Sequence, residues 1–503
     1  MTNTSNLPFE LSADALTSWL DSLSSLPQFQ AAHQLNQVLK QLKDEQHHSA
    51  ELLALVISLT PLTLHFSNNI ALATAAEHNA ITKSRKAAKL CIQLLRQLSL
   101  IFCQLAELST LSESERQTAI YYALQCIGYC LRCYSLFYET TSATLWEKSA
   151  SLYSLAATQH ALQINQTTKI AEFKQQPTIE SVIKRNLLFS ISSPTLFTSH
   201  EISQIFQLAT EFADQLVIDS APNTFDFGFY WDLNDELPPC PTRKANRALP
   251  HGFLALDTQS IGKILQQDVH VANLSRATQT KLALHLTAYQ PIFDSIVPGQ
   301  TLRSEFLFGF KDVSEFLQEL NKLQKIRQLS GQSKSTSSTK RNLALIPLEH
   351  EKNAFQTMTE ALGKTNATSK GGNVLRIAHP SYLVAEGHAF DCSSGDIAMF
   401  YRDDEPATLA IIRQQSALSI SNVTHILMEK IIGFYSIYTF KTTAGNQSAI
   451  VIDEDSDNPQ VFLPPGKYQV EGKIPLTIGK SIHLTACLES NSFFARFRCY
   501  FDL

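Results

Sequence analysis

Three short runs in this 503-residue chain carry residue types that can do chemistry. Gly363-Lys364-Thr365 has the lysine and hydroxyl of a phosphate-binding loop. Such a loop also needs a glycine five residues earlier, where Met358 stands, and must follow a strand rather than a helical pattern. Nucleotide hydrolysis is therefore not expected. Asp453, Asp455 and Asp457 alternate as in a calcium loop, but Asn458 occupies the sixth position, which needs glycine for the sharp turn. Pro464 occupies the twelfth, which needs a bidentate glutamate. A solvated hairpin tip is the expected structure. Cys126, Cys130 and Cys133 fall on one face of a helix, and three thiolates could begin a zinc site. No fourth ligand sits at a suitable local spacing, so they are expected to be small core residues. No nucleophile elbow, HExxH helix or dinucleotide-binding glycine pattern occurs. An enzyme site near Asp232 and His251 is the weakest alternative, because nothing there positions a base against a nucleophile. The chain is expected not to be an enzyme and to hold no metal.

Basic residues interleave with an apolar helical face at Lys83, Arg85, Lys86, Lys89 and Arg96. The period of 3.6 turns Leu90, Cys91, Leu94 and Leu98 toward a core. It leaves Arg85, Lys89 and Arg96 outward as a surface for a protein partner whose identity the sequence does not give.

Apolar residues at 44% and charged residues at 17% define a globular chain long enough for several cores in which such residues can be held. A formal charge of −5 gives no global attraction to nucleic acid. Nine cysteines without framework spacing argue for a reducing compartment. The opening MTNTSNLPFELSADAL has no basic segment followed by an apolar run, so no signal peptide is expected. The most apolar stretch, 52–66, is shorter than the roughly 20 residues of a membrane helix and contains Pro61. A cytoplasmic protein without membrane insertion is the expectation.

The fold class expected is multidomain α+β. Residues 1–175 carry the helical period and no glycine before Gly128, which suits a helical bundle. Residues 176–330 form a mixed α/β middle region, with a strand expected at 182–192. A helix is expected to open on a Thr198–Glu201 capping box and run through about Val217, and a long aromatic loop to span 221–253 around Phe225, Phe227, Phe229, Tyr230 and Trp231. Further helices are expected at about 258–267, 275–290 and 312–328. A serine-rich linker is placed at 331–342. From 343 to 503 the period changes to 2, with about a dozen short strands separated by turns such as Ser394-Gly395 and Pro465-Gly466, as in a barrel or sandwich.

Within that last region, a strand ending EGHAF leads to a hairpin at Gly395-Asp396. The strand IAMFYRD, the strand TLAIIRQQ with Ile412-Arg413, and a closing segment ending Ile432-Gly433 follow. This order resembles the core of PilZ-like β-barrels, closely over about 55 residues and loosely over 340–503. The resemblance implies a bacterial signalling context around cyclic di-GMP, which that family binds through an Arg-x-x-x-Arg linker and an Asp/Asn-x-Ser-x-x-Gly motif. This chain departs from both. With Gly387 as the motif glycine, Tyr382 and Val384 stand in the polar positions. DCSSG (Asp391, Ser393, Gly395) is one residue short, and the linker has no paired arginines. Losing several charge-assisted contacts, each of about 1.5–3 kcal/mol, leaves a degenerate motif. The resemblance therefore implies a non-enzymatic signalling adaptor, with no cofactor, acting through protein contacts. The alternative is a true cyclic di-GMP receptor with an altered site, in which Arg341, Arg376, Asp391, Ser393 and Arg413 are the candidate contacts. If the barrel is stripped of its ligand groups, the protein is expected to bind cyclic di-GMP more weakly than about 100 µM.

Overall fold

The computed structural model describes residues 7–9, 13–44, 50–76, 81–137, 139, 141–167, 176–220, 228–242, 252–267, 271, 274–287, 296–332, 359–365, 367–377, 382–388, 390, 392–402, 405–417, 423–443, 445–466, 468–477, 479–490 and 493–502. The chain is α+β and divides into two compact units. One comprises Met1–Thr195 and Ser199–Gln290, the other Leu196–Thr198 and Pro291–Leu503.

The first unit is led by helices α1 (Ala13–Ser24), α2 (Gln28–Asp44), α3 (Ala50–Ala76), α4 (Ile81–Ala106), α5 (Glu113–Leu136) and α6 (Ala143–Thr158). Helix α5 lies at its centre and buries residues all around its circumference, from Ala119 to Leu136. Its start is fixed by a capping box. The Ser112 hydroxyl accepts from the Glu115 amide, and the Glu115 carboxylate accepts from the Ser112 amide at 2.8 Å. Cys126, Cys130 and Cys133 are buried on α5, and burial pushes the Cys133 thiol up to about 12 and the Cys130 thiol well above its usual range. The Cys130 and Cys133 thiols stay protonated, and all three cysteines pack as small core groups. Among the described residues no group of three or more His, Cys, Asp or Glu side chains could hold a metal.

The apolar stretch expected at 52–66 is part of a longer element, since α3 runs 27 residues with Pro61 inside it. Helices α3 and α4 each carry a window long and apolar enough to span a membrane by composition. In this fold 56% of the first window and 61% of the second is buried inside the protein.

Residues 182–192 form a helix where a strand was expected: α7 runs Ile179–Ile191. The apolar and β-branched run VIKRNLLFSI reads as a strand locally. A second capping box decides otherwise, with the Thr178 hydroxyl accepting from the Ser181 amide and the Ser181 hydroxyl from the Thr178 amide. Helix α8 (Ser199–Glu211) follows. Strands β1 (Val217–Asp219), β2 (Phe229–Asp232), β3 (Cys240–Pro241) and β4 (Phe253–Asp257) make one sheet in the order β1-β4-β2-β3. The stretch expected as one long loop thus contains two strands. Trp231 of β2 is fully buried, edge-on to Trp146 and Tyr153 at about 6 Å. Phe225 and Phe227 lie outside the described residues. Helices α9 (Gln259–Gln266) and α10 (Arg276–Thr287) complete this unit.

The second unit begins earlier than the expected boundary. Strand β5 (Ile296–Phe308) belongs to it, as does helix α11 (Phe310–Gln332). Strands β6 (Lys370–Ile377), β7 (Tyr382–His388), β8 (Ile397–Arg402), β9 (Glu405–Ala417) and β10 (Val423–Ile431) join β5 in a closed barrel, ordered β10-β7-β6-β5-β8-β9. A six-stranded sheet follows: β11 (Tyr435–Thr442), β12 (Gly445–Ile452), β13 (Gln460–Leu463), β14 (Lys473–Pro475), β15 (Ser481–Ser490) and β16 (Ala495–Asp502).

The alternation of β8 explains how these layers meet. Ala398 and Phe400 join Phe306, Phe390, Ile412, Ile426 and Met428 in a core drawn from five barrel strands and the Phe390 segment. Ile397, Met399 and Tyr401 face the other way, into a core shared with Val313 and Phe316 of α11 and with Ile450 and Phe462 of the second sheet. Barrel, helix and sheet of this unit are therefore one packed body. The domain expected at 343–503 is only part of it, and the expected 176–330 region is divided between the two units.

Candidate functional site

The turn at Gly395-Asp396 is the starting point. Gly395 has φ +87°, a conformation that favours glycine. Its amide donates to the Ile412 carbonyl at 2.7 Å, and the Ile412 amide donates to the Asp396 carbonyl at 2.9 Å. The Ser394 hydroxyl donates to the Arg413 carbonyl at 2.7 Å. Asp396 is buried, and its carboxylate accepts from the Ile397 amide. The Gly-Asp and Ile-Arg pairs, distant in sequence, are the two sides of one clamp.

That clamp sets the position of Arg413, whose guanidinium is engaged on three nitrogens. Nε donates to Glu429 of β10 at 2.6 Å, and Nη1 and Nη2 donate to Glu489 of β15 at 2.6 and 2.9 Å. All three side chains are mostly shielded, at 16%, 28% and 22% exposure. The two carboxylates hold the Arg413 pKa above its ordinary value against the cost of burial. Chemically this is a staple between barrel and sheet. A phosphate reaching Arg413 would have to displace a bidentate carboxylate.

Gly387 gives a second reason to read the barrel as filled. A Cβ there would lie 2.3 Å from the Phe390 ring, and one at Gly372 would lie 2.6 Å from it. The space left by both glycines is taken by Phe390, which also packs on Phe306 and Phe308 at just over 5 Å. Gly387 therefore serves core packing, where the motif would have it admit a ligand.

Of the other expected contacts, two lie on described elements. Arg376 lies on β6, and Ser393 sits in the turn, its carbonyl accepting from the Asp396 amide. Arg341 and Asp391 lie outside the described residues, as does His251. Asp232 closes a local turn by accepting from the Asn234 amide at 2.9 Å. Lys364 pairs with Glu360 at 3.0 Å, both side chains about half exposed, and the Thr365 hydroxyl donates to the Leu362 carbonyl. The Asp453 carboxylate accepts from the Phe434 amide at 2.9 Å, fixing the bend at Gly433. Asp455 and Asp457 are at the hairpin tip beyond it.

On α4, Lys86 and Lys89 are exposed, while Leu90, Cys91, Leu94 and Leu98 are buried. Arg96 is half-buried, and its charge acts on Cys130 and Tyr134 of α5, opposing the rise that burial gives their pKa values. Arg85 lies on the same helix.

Sequence reasoning missed a polar centre between α5, α7 and α8. Arg185 is fully buried. Its Nη1 donates to the Gln125 side-chain oxygen at 2.7 Å, and Nε and Nη2 donate to that of Asn186 at 3.1 and 3.0 Å. Asn186 in turn donates to the Leu124 carbonyl at 2.9 Å. Gly128 makes this possible, because a Cβ there would come within 2.2 Å of both Arg185 and Asn186. The available signal was the first glycine of the chain, set in the middle of a helical pattern.

Residues 14–223, from α1 to just beyond β1, match the family described as the N-terminal domain of the cyclic-di-GMP receptor FimW. The matched segment is less than half of the chain, lies wholly before the barrel and contains this polar centre. No curated protein and no solved structure matches the chain.

Proposed function

We propose that this chain is a non-enzymatic, cytoplasmic signalling protein that acts as a receptor for cyclic di-GMP and passes its state to a protein partner. The match of residues 14–223 to the N-terminal domain of a cyclic-di-GMP receptor carries this reading. The barrel supports the signalling context of this reading and not ligand binding within the barrel itself. Six strands, a Gly395-Asp396 turn and a following Ile412-Arg413 pair agree with a PilZ-like module. In that module the ligand groups are replaced, so it serves as a packed protein-contact domain.

Calorimetric titration of the full chain with cyclic di-GMP, with GMP as control, tests the reading. A dissociation constant on the order of 1 µM, or about −8.2 kcal/mol, is expected. Absence of heat up to about 1 mM ligand, the level of about −4.1 kcal/mol, would overturn the receptor.

One observation favours a second reading, an adaptor that no longer binds the dinucleotide. Arg413 is committed to Glu429 and Glu489, and Phe390 fills the space at Gly387. In either reading the exposed Lys89 belongs to the partner surface, together with Arg85 and Arg96. Lys89→Glu is expected to preserve helical circular dichroism and to weaken partner capture in pulldowns. Loss of helicity would show that Lys89 is structural.

A further inference from the structure

Arg132 stands on α5, four residues after Gly128, in a run of buried apolar side chains. It is half-buried, and its Nη2 donates to the Ser203 hydroxyl of α8 at 3.0 Å. Its guanidinium lies 5.4 Å from the centroid of the Phe206 ring. The Nε–H is shut off from solvent and has no hydrogen-bond partner. Among the described residues no carboxylate pairs with Arg132. The Arg185 guanidinium lies 4.8 Å from the same Phe206 centroid and 5.8 Å from that of Tyr129. Two guanidinium cations thus share one phenyl ring.

The contrast with Arg413 is informative. There, two carboxylates meet one guanidinium. Here, neighbouring cations raise each other's cost: burial and the Arg185 charge lower the Arg132 pKa, although an arginine stays protonated throughout the ordinary pH range. Cation–π contact with Phe206 offsets part of this cost but cannot occupy an orphaned N–H. A charge-assisted acceptor satisfies both the charge and the donor, and guanidinium forks fit phosphate oxygens. Half-buried Tyr129, three residues before Arg132 and 5.4 Å from Phe206, adds an aromatic ring beside the site.

We infer that Arg132, with Arg185 behind it and Tyr129 and Ser203 beside it, forms a binding site for a phosphate or phosphodiester group in the helical unit. Where the source is cyclic di-GMP, the site rests on the receptor reading above; where it is free phosphate, it stands apart from that reading.

The test compares the full-length wild type with Arg132→Gln and Arg132→Lys, titrating cyclic di-GMP and inorganic phosphate separately by calorimetry and thermal shift. Arg132→Gln is expected to weaken the bound anion by at least about tenfold, with Arg132→Lys retaining part of the affinity. The ligand-free melting temperature should not fall, because the substitution removes a buried charge that no carboxylate offsets. Arg132-dependent binding of phosphate alone supports the site and counts against the receptor. Cyclic di-GMP binding that is unchanged in Arg132→Gln overturns the site and leaves the receptor standing. Binding of neither anion, or a large drop in the ligand-free melting temperature of Arg132→Gln, makes Arg132 a structural residue and overturns the site.

Discussion

At the scale of single residues, two arginines of one chemical type have opposite surroundings. Arg413 meets two carboxylates, whereas Arg132 meets a hydroxyl and a ring face. Removing one partner of a shielded ion cluster strands the others, which costs about 3–5 kcal/mol when burial is complete. Arg413→Ala removes the guanidinium that Glu429 and Glu489 both bind, while Arg496 still acts on the two carboxylates, so urea unfolding should register a loss of about 2–4 kcal/mol. A change within about 0.5 kcal/mol would mean that the staple contributes nothing and that Arg413 is available for other work. Arg413 was visible in the sequence as half of an Ile-Arg pair, but its partners were not. Glu489 is 76 residues away and meets it only because β15 lies beside the barrel within the same unit. Arg132 was equally hidden: it looks like an ordinary helix cation until α8 brings Phe206 and Ser203 beside it.

At the scale of elements, local pattern decided most helices and failed where two patterns overlapped. Residues 179–191 have the composition of a strand, and the Thr178–Ser181 cap turns them into α7. Strand β5 escaped notice because Pro298 and Gly299 interrupt it. The pairing of β5 with β6 shifts register between Ile296 and Thr301, which accommodates the interruption as a bulge. Helix α10 carries a titratable group that reports on its own packing. Burial lowers the His285 pKa from 6.5 to about 4, against the opposing effect of its hydrogen bond with the Ile191 backbone. The unfolded chain therefore binds a proton that the folded chain refuses between these two values, and stability rises with pH across that window. The His285 contribution is fully present above about pH 6.5 and is lost progressively as pH falls toward 4. Melting temperatures measured from pH 7 to 4.5 should decline less steeply in His285→Gln than in the wild type. Equal slopes would place the acid sensitivity elsewhere.

At the scale of the whole molecule, the change of period from 3.6 to 2 announced an α part and a β part, and the structure has both. The boundary did not follow from that change. Strand β5 lies before α11 in sequence yet closes the barrel beside β6 and β8, so the unit is assembled across a helix that a periodicity reading assigns to its predecessor. The proposed receptor divides two roles: a helical unit that receives cyclic di-GMP through an arginine-rich centre, and a filled barrel joined to a second sheet that presents a surface. Hydrogen–deuterium exchange of the full-length protein, with and without cyclic di-GMP, tests that separation most directly. Slower exchange in α5, α7 and α8 around Arg132 and Arg185, with β7, β8 and β9 unchanged, is the result expected. Protection confined to the barrel strands around Gly387 and Arg413, or no protection anywhere at millimolar ligand, would contradict it.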